Sequence, residues 1–181
     1  MSALKTAGTR LFTFAWMLLP ILLLLPNFSS LSIRLFKLRE PTFAVPLKLD
    51  SAIQIREDPY GSGFFGAPRN GGRRHRGVDL VAPVGTPVVA AKSGIAMIGR
   101  VHNGMGRYVE IHHPDGSMTR YAHLKQLFIH DRQRVRRDKP IGTVGKSGNA
   151  RRRSIQPHLH FEVWNEHGVP VDPLTVMEKK K

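Results

Sequence analysis

The chain contains no cysteine, so disulfide frameworks, thiolate-bound zinc, iron–sulfur clusters and cysteine nucleophiles are excluded. It is also poor in acid: 13 Asp and Glu stand against 28 Lys and Arg, for a formal charge of +15. That imbalance points to a polyanionic partner, whether nucleic acid, anionic lipid or an acidic wall polymer, and composition does not choose among them. Beyond Asp58 there is no amphipathic stretch of helical length. The 181 residues accommodate one compact domain with a short appendage, which excludes a large multidomain enzyme. At 41% apolar, the chain has enough material for a core, and wholesale disorder is excluded.

The N-terminus has no acid and, between Leu11 and Ile33, no charge of either sign. As a helix that run would measure about 35 Å, enough to span a bilayer core. Lys5 and Arg10 precede it, and Arg34, Lys37 and Arg39 follow. A cleaved secretory signal would end in an Ala-x-Ala-like site, which is missing here. The run shows no polar face at helical spacing, so it does not read as a buried helix of a soluble fold. We therefore expect residues 1–39 to form an uncleaved membrane anchor, a single transmembrane helix over about 11–33. Basic residues on both flanks leave its orientation open. Residues 40–57, mixing prolines, charges and short apolar pieces, are expected to be a tether.

From Asp58 onward, β-branched and aromatic runs alternate with Gly and Pro. Strands are predicted at Pro87–Lys92, Ile95–His102, Arg107–His112, Ser117–His123, Ile141–Val144 and His158–Trp164. His113-Pro114-Asp115-Gly116 has the turn chemistry of a hairpin. Residues 58–181 are thus expected to be a mostly β, antiparallel sheet domain.

Nine histidines are present, and imidazole is the commonest side-chain metal ligand. In His158-Leu159-His160-Phe161-Glu162-Val163-Trp164, alternation puts His158, His160 and Glu162 on one face and Leu159, Phe161 and Val163 on the other, core-facing one. Upstream, His75 and Asp79 are four apart and share a side in helical or extended backbone. One carboxylate and one imidazole from there, with one imidazole from the last strand, make a three-ligand set with a fourth position open, the pattern of a catalytic zinc site. Thr119, Tyr121 and His123 would share one face of a third strand. His102, His112, His113, His130 and His167 read as turn or surface residues.

The segments GAPRNGGRRHRGVDLVAPVGTPVVAAKSGIA, GRYVEIHHPDGSMTRYAHL, IGTVGKSGN and PHLHFEVW, closing with GVPVDP, resemble the lysostaphin-type, or LytM-type, zinc endopeptidases of bacterial peptidoglycan. The resemblance runs from about Tyr60 to Pro173. It implies antiparallel sheets with the metal in a groove walled by loops. It further implies one Zn²⁺ held by His75, Asp79 and His160, with His123 and His158 as the catalytic pair. The implied activity is hydrolysis of peptide bonds in peptidoglycan through a metal-activated water. The implied place is the bacterial cell envelope, with the domain outside the cytoplasm, membrane-anchored or, if the N-terminus is cleaved, secreted.

Two segments depart from the family pattern. Arg151-Arg152-Arg153 and Ser154-Ile155-Gln156-Pro157 lead into His158, and Gly104-Met105-Gly106-Arg107-Tyr108 carries Met and Arg where smaller or uncharged residues are common. Tyr121, Arg151, Arg152 and Arg153 are candidate substrate contacts, and the basic clusters together would form a positive rim drawing an anionic polymer to the groove. The alternative is a non-catalytic LytM-like protein that binds the wall or activates another hydrolase, though such domains typically lack a ligand or a catalytic histidine and none is missing here. A zinc amidase or carboxypeptidase acting on the same polymer differs only in its products. Nucleic acid is not expected as a partner, because the arginines lack interleaved stacking aromatics. Protein regulators remain open.

Overall fold

The computed structural model describes residues 30–49 and 51–178. It divides into two units, Met1–Arg39 and Glu40–Lys181. In the first, residues 30–39 are helical with Leu31, Leu35 and Leu38 exposed. Most of the expected span over 11–33 lies outside the described residues. Among those described, no helix is long and apolar enough to cross a membrane.

Among its described residues the second unit is built on eleven strands: β1 (Glu57–Asp58), β2 (Gly61–Ser62), β3 (Val78–Val81), β4 (Pro87–Val89), β5 (Gly94–Val101), β6 (Gly106–His112), β7 (Met118–Leu127), β8 (Arg134–Val135), β9 (Pro140–Val144), β10 (His158–Trp164) and β11 (Pro170–Val171). β1 and β2 form a small hairpin, and the other nine make one sheet in which β11, β10, β7, β6, β5 and β8 lie side by side. Every strand pairing is antiparallel, as the sequence pattern predicts. β3 lies against the first part of β10, and β9 joins the sheet at the end of β7 and carries β4. The β6–β7 turn is the predicted one, closed by Gly116 at φ +84°, a backbone conformation suited to glycine.

Alternation along β10 decides which face is inside. Leu159, Phe161 and Val163 are buried in the hydrophobic core with Val78, Leu80, Val109, Ile111 and Tyr121. Strand limits differ from expectation where the chain changes neighbour. The predicted Pro87–Lys92 strand stops at Val89 after a register shift, and Ala90 then bonds its N–H to the Lys139 carbonyl at 3.0 Å. β3 was not foreseen as a strand, because a charged residue interrupts so short an apolar run.

The stretch expected to be a tether packs on the domain instead. Phe43, Ala44 and Leu47 are buried, and Phe43, Leu47 and Ile55 bridge Met177, Val88 and Leu80. Its prolines and charges disguise a few apolar residues spaced to reach the core one at a time.

His113 is likewise not a surface residue. It is buried, with Nδ1 at 2.9 Å from the Ser93 carbonyl and Nε2 at 3.0 Å from Thr119 Oγ1. A carbonyl only accepts, so Nδ1 carries the proton and the neutral ring takes the Thr119 hydroxyl's hydrogen at Nε2. Thr119 in turn hydrogen-bonds Tyr121 Oη at 3.0 Å, and the Ala91 N–H donates to the same phenol at 2.8 Å. Burial pushes His113 down from 6.5 to about 4, against the Ser93 carbonyl and the nearby Asp115 and Glu40; Lys92 assists the shift. The unfolded chain therefore takes up a proton near pH 6.5 that the folded chain refuses until about pH 4. Its contribution to stability is complete above pH 6.5 and is lost as pH falls toward 4, on the order of 3 kcal/mol. We expect His113→Gln to flatten the fall in urea-denaturation free energy between pH 7 and pH 4.5 by close to one proton relative to wild type; parallel profiles would show that His113 does not titrate this way.

Candidate metal centre

β10 supplies two of the site's side chains and its neighbours supply the rest. His160 stands opposite Asp79 of β3 on one edge and Ala122 of β7 on the other. Directly opposed residues in a sheet share a face, so Asp79 and His160 are brought together by register alone. His75 arrives from the segment before β3. Gly77, between His75 and Asp79, crosses so close to β10 that a Cβ there would sit 2.2 Å from the Phe161 carbonyl oxygen.

Three ligand atoms converge. His75 Nε2 and His160 Nδ1 are 2.9 Å apart, His160 Nδ1 and Asp79 Oδ1 2.9 Å, and His75 Nε2 and Asp79 Oδ1 3.2 Å. All three residues are buried. Lone pairs aimed at one point repel unless a cation lies among them. With bonds of about 2.0–2.1 Å, a tetrahedral ion separates its ligand atoms by about 3.3–3.4 Å, a few tenths of an ångström more than seen here. Two imidazole nitrogens and one carboxylate oxygen also suit zinc chemically. The residues fit the ion.

The remote atom of each ligand is occupied, which fixes its orientation. His75 Nδ1–H donates to the Phe64 carbonyl at 2.9 Å, leaving Nε2 unprotonated. His160 Nε2–H donates to Glu162 Oε1 at 3.0 Å, leaving Nδ1 for the metal. Asp79 Oδ2 is held by Arg56 Nε and Nη2 at 3.2 and 3.0 Å, with Arg69 Nη2 at 3.5 Å. Glu162 is itself pinned by Arg120 and by Trp164 Nε1–H at 2.7 Å. Burial pushes the Asp79 carboxyl up, but in the metal-free site the hydrogen bond and charge of a protonated His160, with His75 and His158 beside it, bring it well below the usual range. Burial works against a charged His160 too, and the Asp79 and Glu162 carboxylates outweigh it, raising the metal-free imidazole to about 9, so that a cation binding here displaces the Nδ1 proton.

Two more histidines flank the triad. His123 and His158 rings lie 5.0 Å apart in edge-on contact. His123 Nδ1–H donates to the Ser147 carbonyl at 2.9 Å and His158 Nδ1–H to the Gln156 carbonyl at 2.6 Å, so both Nε2 lone pairs are free. His158 Nε2 lies 3.9 Å from Asp79 Oδ1. Burial, followed by the nearness of His158 and His160, pushes His123 down to about 3, and burial lowers His158 despite Asp79. Both rings are neutral proton acceptors.

His123 reaches this place by breaking the strand pattern. Arg107 faces Leu124 but Val109 faces Tyr121, so β7 carries an extra residue between them, a bulge. His123 has φ +64°, and its N–H bonds the Met105 carbonyl at 2.9 Å. Tyr121 and His123 consequently point to opposite sides. Tyr121 is fully buried against Phe161, ring centroids 5.2 Å apart, and is not a substrate contact.

A family model described as Peptidase family M23 matches residues 73–173. The chain belongs to this family. Peptidoglycan DD-endopeptidase ShyC of Vibrio cholerae is 38% identical over 104 residues, covering 58% of this chain and 23% of ShyC. DD-carboxypeptidase/endopeptidase Mpg of Neisseria meningitidis is 41% identical over 104 residues, again 58% of this chain and 23% of the relative. The chain thus spans under a quarter of the length of these relatives. Among solved structures, a zinc-containing peptidase from Vibrio cholerae superposes with a TM-score of 0.54 at 30% identity, covering 78% of this chain and 41% of that one.

In this M23 domain the triad opens into a groove of about 610 Å³ that also holds His123, His158 and Glu162. Its walls are cationic: Arg69, Arg73, Arg74, Arg76 and Arg152 line it. Of the three candidate arginines before β10, Arg152 lies on the groove, its guanidinium 5.7 Å from the Tyr60 ring centroid. Arg151 lines a separate depression and Arg153 lines neither. Two further residues, Arg56 and Glu162, support the predicted ligands. Glu162 was legible, since it shares the histidine face of β10; Arg56 was not, because it sits in the stretch taken for a tether.

Two outcomes are expected. Glu162→Gln should weaken zinc binding about 10–100-fold in chelator competition while leaving the circular dichroism spectrum intact; unchanged affinity would remove Glu162 from the support of His160. Gly77→Ala should cost more than about 2 kcal/mol of stability in urea, since the clash is with backbone and cannot be relieved by a side-chain rotation.

Proposed function

We propose that the domain is a zinc-dependent endopeptidase that hydrolyses peptide bonds of bacterial peptidoglycan, and that it works outside the cytoplasm, tethered by its N-terminal segment. The observation carrying the chemistry is the convergence of His75 Nε2, Asp79 Oδ1 and His160 Nδ1 within 3.2 Å of one another beside two neutral histidines with free Nε2 atoms. The name of ShyC supports the substrate class and that of Mpg the peptidase chemistry, and the uncharged run from Leu11 to Ile33 supports the location.

His75, Asp79 and His160 would hold a zinc ion, whose chemistry when bound would be to acidify a water toward a pKa of about 7 and to polarise a carbonyl oxygen. The protein's own groups do the rest. His123 and His158, each tied to a backbone carbonyl through Nδ1, turn Nε2 toward the reacting centre. One accepts the water's proton, and either, once protonated, donates to the departing amine or to the developing oxyanion. Arg56 and Glu162 hold Asp79 and His160 in position, so no side-chain reordering is needed as charge develops. The arginines on the groove walls attract an anionic polymer, an effect that weakens with salt.

The enzyme should carry one zinc per chain and release soluble peptides from purified crosslinked peptidoglycan, with the cleaved bond identified by mass spectrometry of the fragments. His123→Ala should retain zinc and lose about 10²–10⁴-fold in rate. Zinc-loaded protein that releases no fragments, with no change on His123→Ala, would show a wall-binding rather than a hydrolytic domain.

A further inference from the structure

The two segments in which the sequence departs from its family meet in a second depression, outside the metal groove. Its volume is about 210 Å³, and Arg100, His102, Arg107, Lys146 and Arg151 line it with Ser147. No acidic residue is among its walls. Lys146 Nζ donates to the Arg153 carbonyl at 3.1 Å, Arg151 Nη2 to Asn103 Oδ1 at 3.2 Å and Arg107 Nη1 to the Lys125 carbonyl. These acceptors are all neutral oxygens, so the cationic charge stays uncompensated. Four cations gathered without a carboxylate repel one another, and an oxyanion relieves that repulsion while accepting charge-assisted hydrogen bonds.

The depression shares a wall with the metal groove. Ser147 accepts the His123 Nδ1–H at its carbonyl and the Arg107 N–H at Oγ, both at 2.9 Å. Gly106 lines the depression while its neighbour Met105 lines the groove and accepts the His123 N–H. A ligand seated here is one or two residues of protein away from His123. The space suits a single anionic group, and its nearness to the groove favours a group carried by the molecule being cut.

We propose that this depression is an oxyanion subsite that holds a carboxylate of the polymer whose peptide bond lies at the metal centre. The identity of that polymer rests on the function proposed above; the existence of the site does not. It explains why Arg107 and Arg151 accompany each other though they are far apart in the chain, and it assigns the second depression a part in choosing substrates by their free carboxylates.

The test has two arms. In the first, the full chain, stripped of metal with EDTA so that no ion contributes, is titrated calorimetrically with inorganic phosphate as a simple oxyanion probe. Arg100→Gln with Arg151→Gln should weaken binding about tenfold, whereas Arg132→Gln with Arg134→Gln, equal in charge removed but away from both depressions, should change it less than about twofold. No saturable binding in wild type, or equal loss in both doubles, overturns the subsite whether or not the protein cleaves anything. In the second, the zinc-loaded full chain is given crosslinked stem peptides with free or amidated carboxylates. The Arg100/Arg151 double variant should raise KM about tenfold for the free form with kcat unchanged, and should not affect the amidated form. Identical KM values for the two forms in wild type overturn the carboxylate assignment.

Discussion

The sheet-borne side chains of the site, Asp79, His158 and His160, depend on the register of β10 between its two neighbours. His160 is directly across from Asp79 on one side and Ala122 on the other, so three strands place an imidazole, a carboxylate and a small side chain in one row. Because side chains alternate with period two, a slip of one residue would turn the row over and send both ligands into the core. The slip is prevented from beneath. Leu159, Phe161 and Val163 are all but fully buried, and the hydrophobic effect that puts them inside also holds the histidines out toward the groove.

The same arrangement loads the groove with polar groups that have little access to water. Asp79, His158, His160 and Glu162 are each at most 5% exposed. Burying such groups is costly unless each finds a partner, and here the partners are other members, backbone carbonyls, the arginines Arg56, Arg69 and Arg120, and the Trp164 indole. The cost and the function are therefore one matter: the contacts that satisfy the remote atoms of His75, Asp79 and His160 also decide which atoms remain for a cation. His113, Thr119 and Tyr121 solve the equivalent problem on the core side, where no metal is involved, by handing hydrogen bonds along a closed line.

Much of this was legible in the residues. Six strands, the β6–β7 turn and the two faces of β10 follow from alternation and turn chemistry, and the proposed ligands follow from spacing and resemblance. What was not legible depends on events that a periodic pattern cannot represent. Tyr121 and His123 read as sharing a face because the pattern assumes an uninterrupted strand. The extra residue in β7 and the left-handed backbone at His123 separate them. Arg56 escaped notice because the apolar anchors around it are single residues without periodicity. His113 sits beside a turn, where sequence favours exposure, yet the hairpin folds its ring inward against Phe43 at 5.8 Å.

β7 changes neighbour along its length: ahead of His123 the strand pairs with β10, and beyond it with β9. Asp79, His158 and His160 are thus products of the sheet proper, while His123 belongs to the joint and to the Met105 and Ser147 carbonyls that hold it. The two flanking histidines therefore rest on different parts of the scaffold: His158 on the strand that carries His160, and His123 on the joint. A shift in the loops around residues 105 and 147 would displace His123 while leaving His158 and the three converging ligands in place.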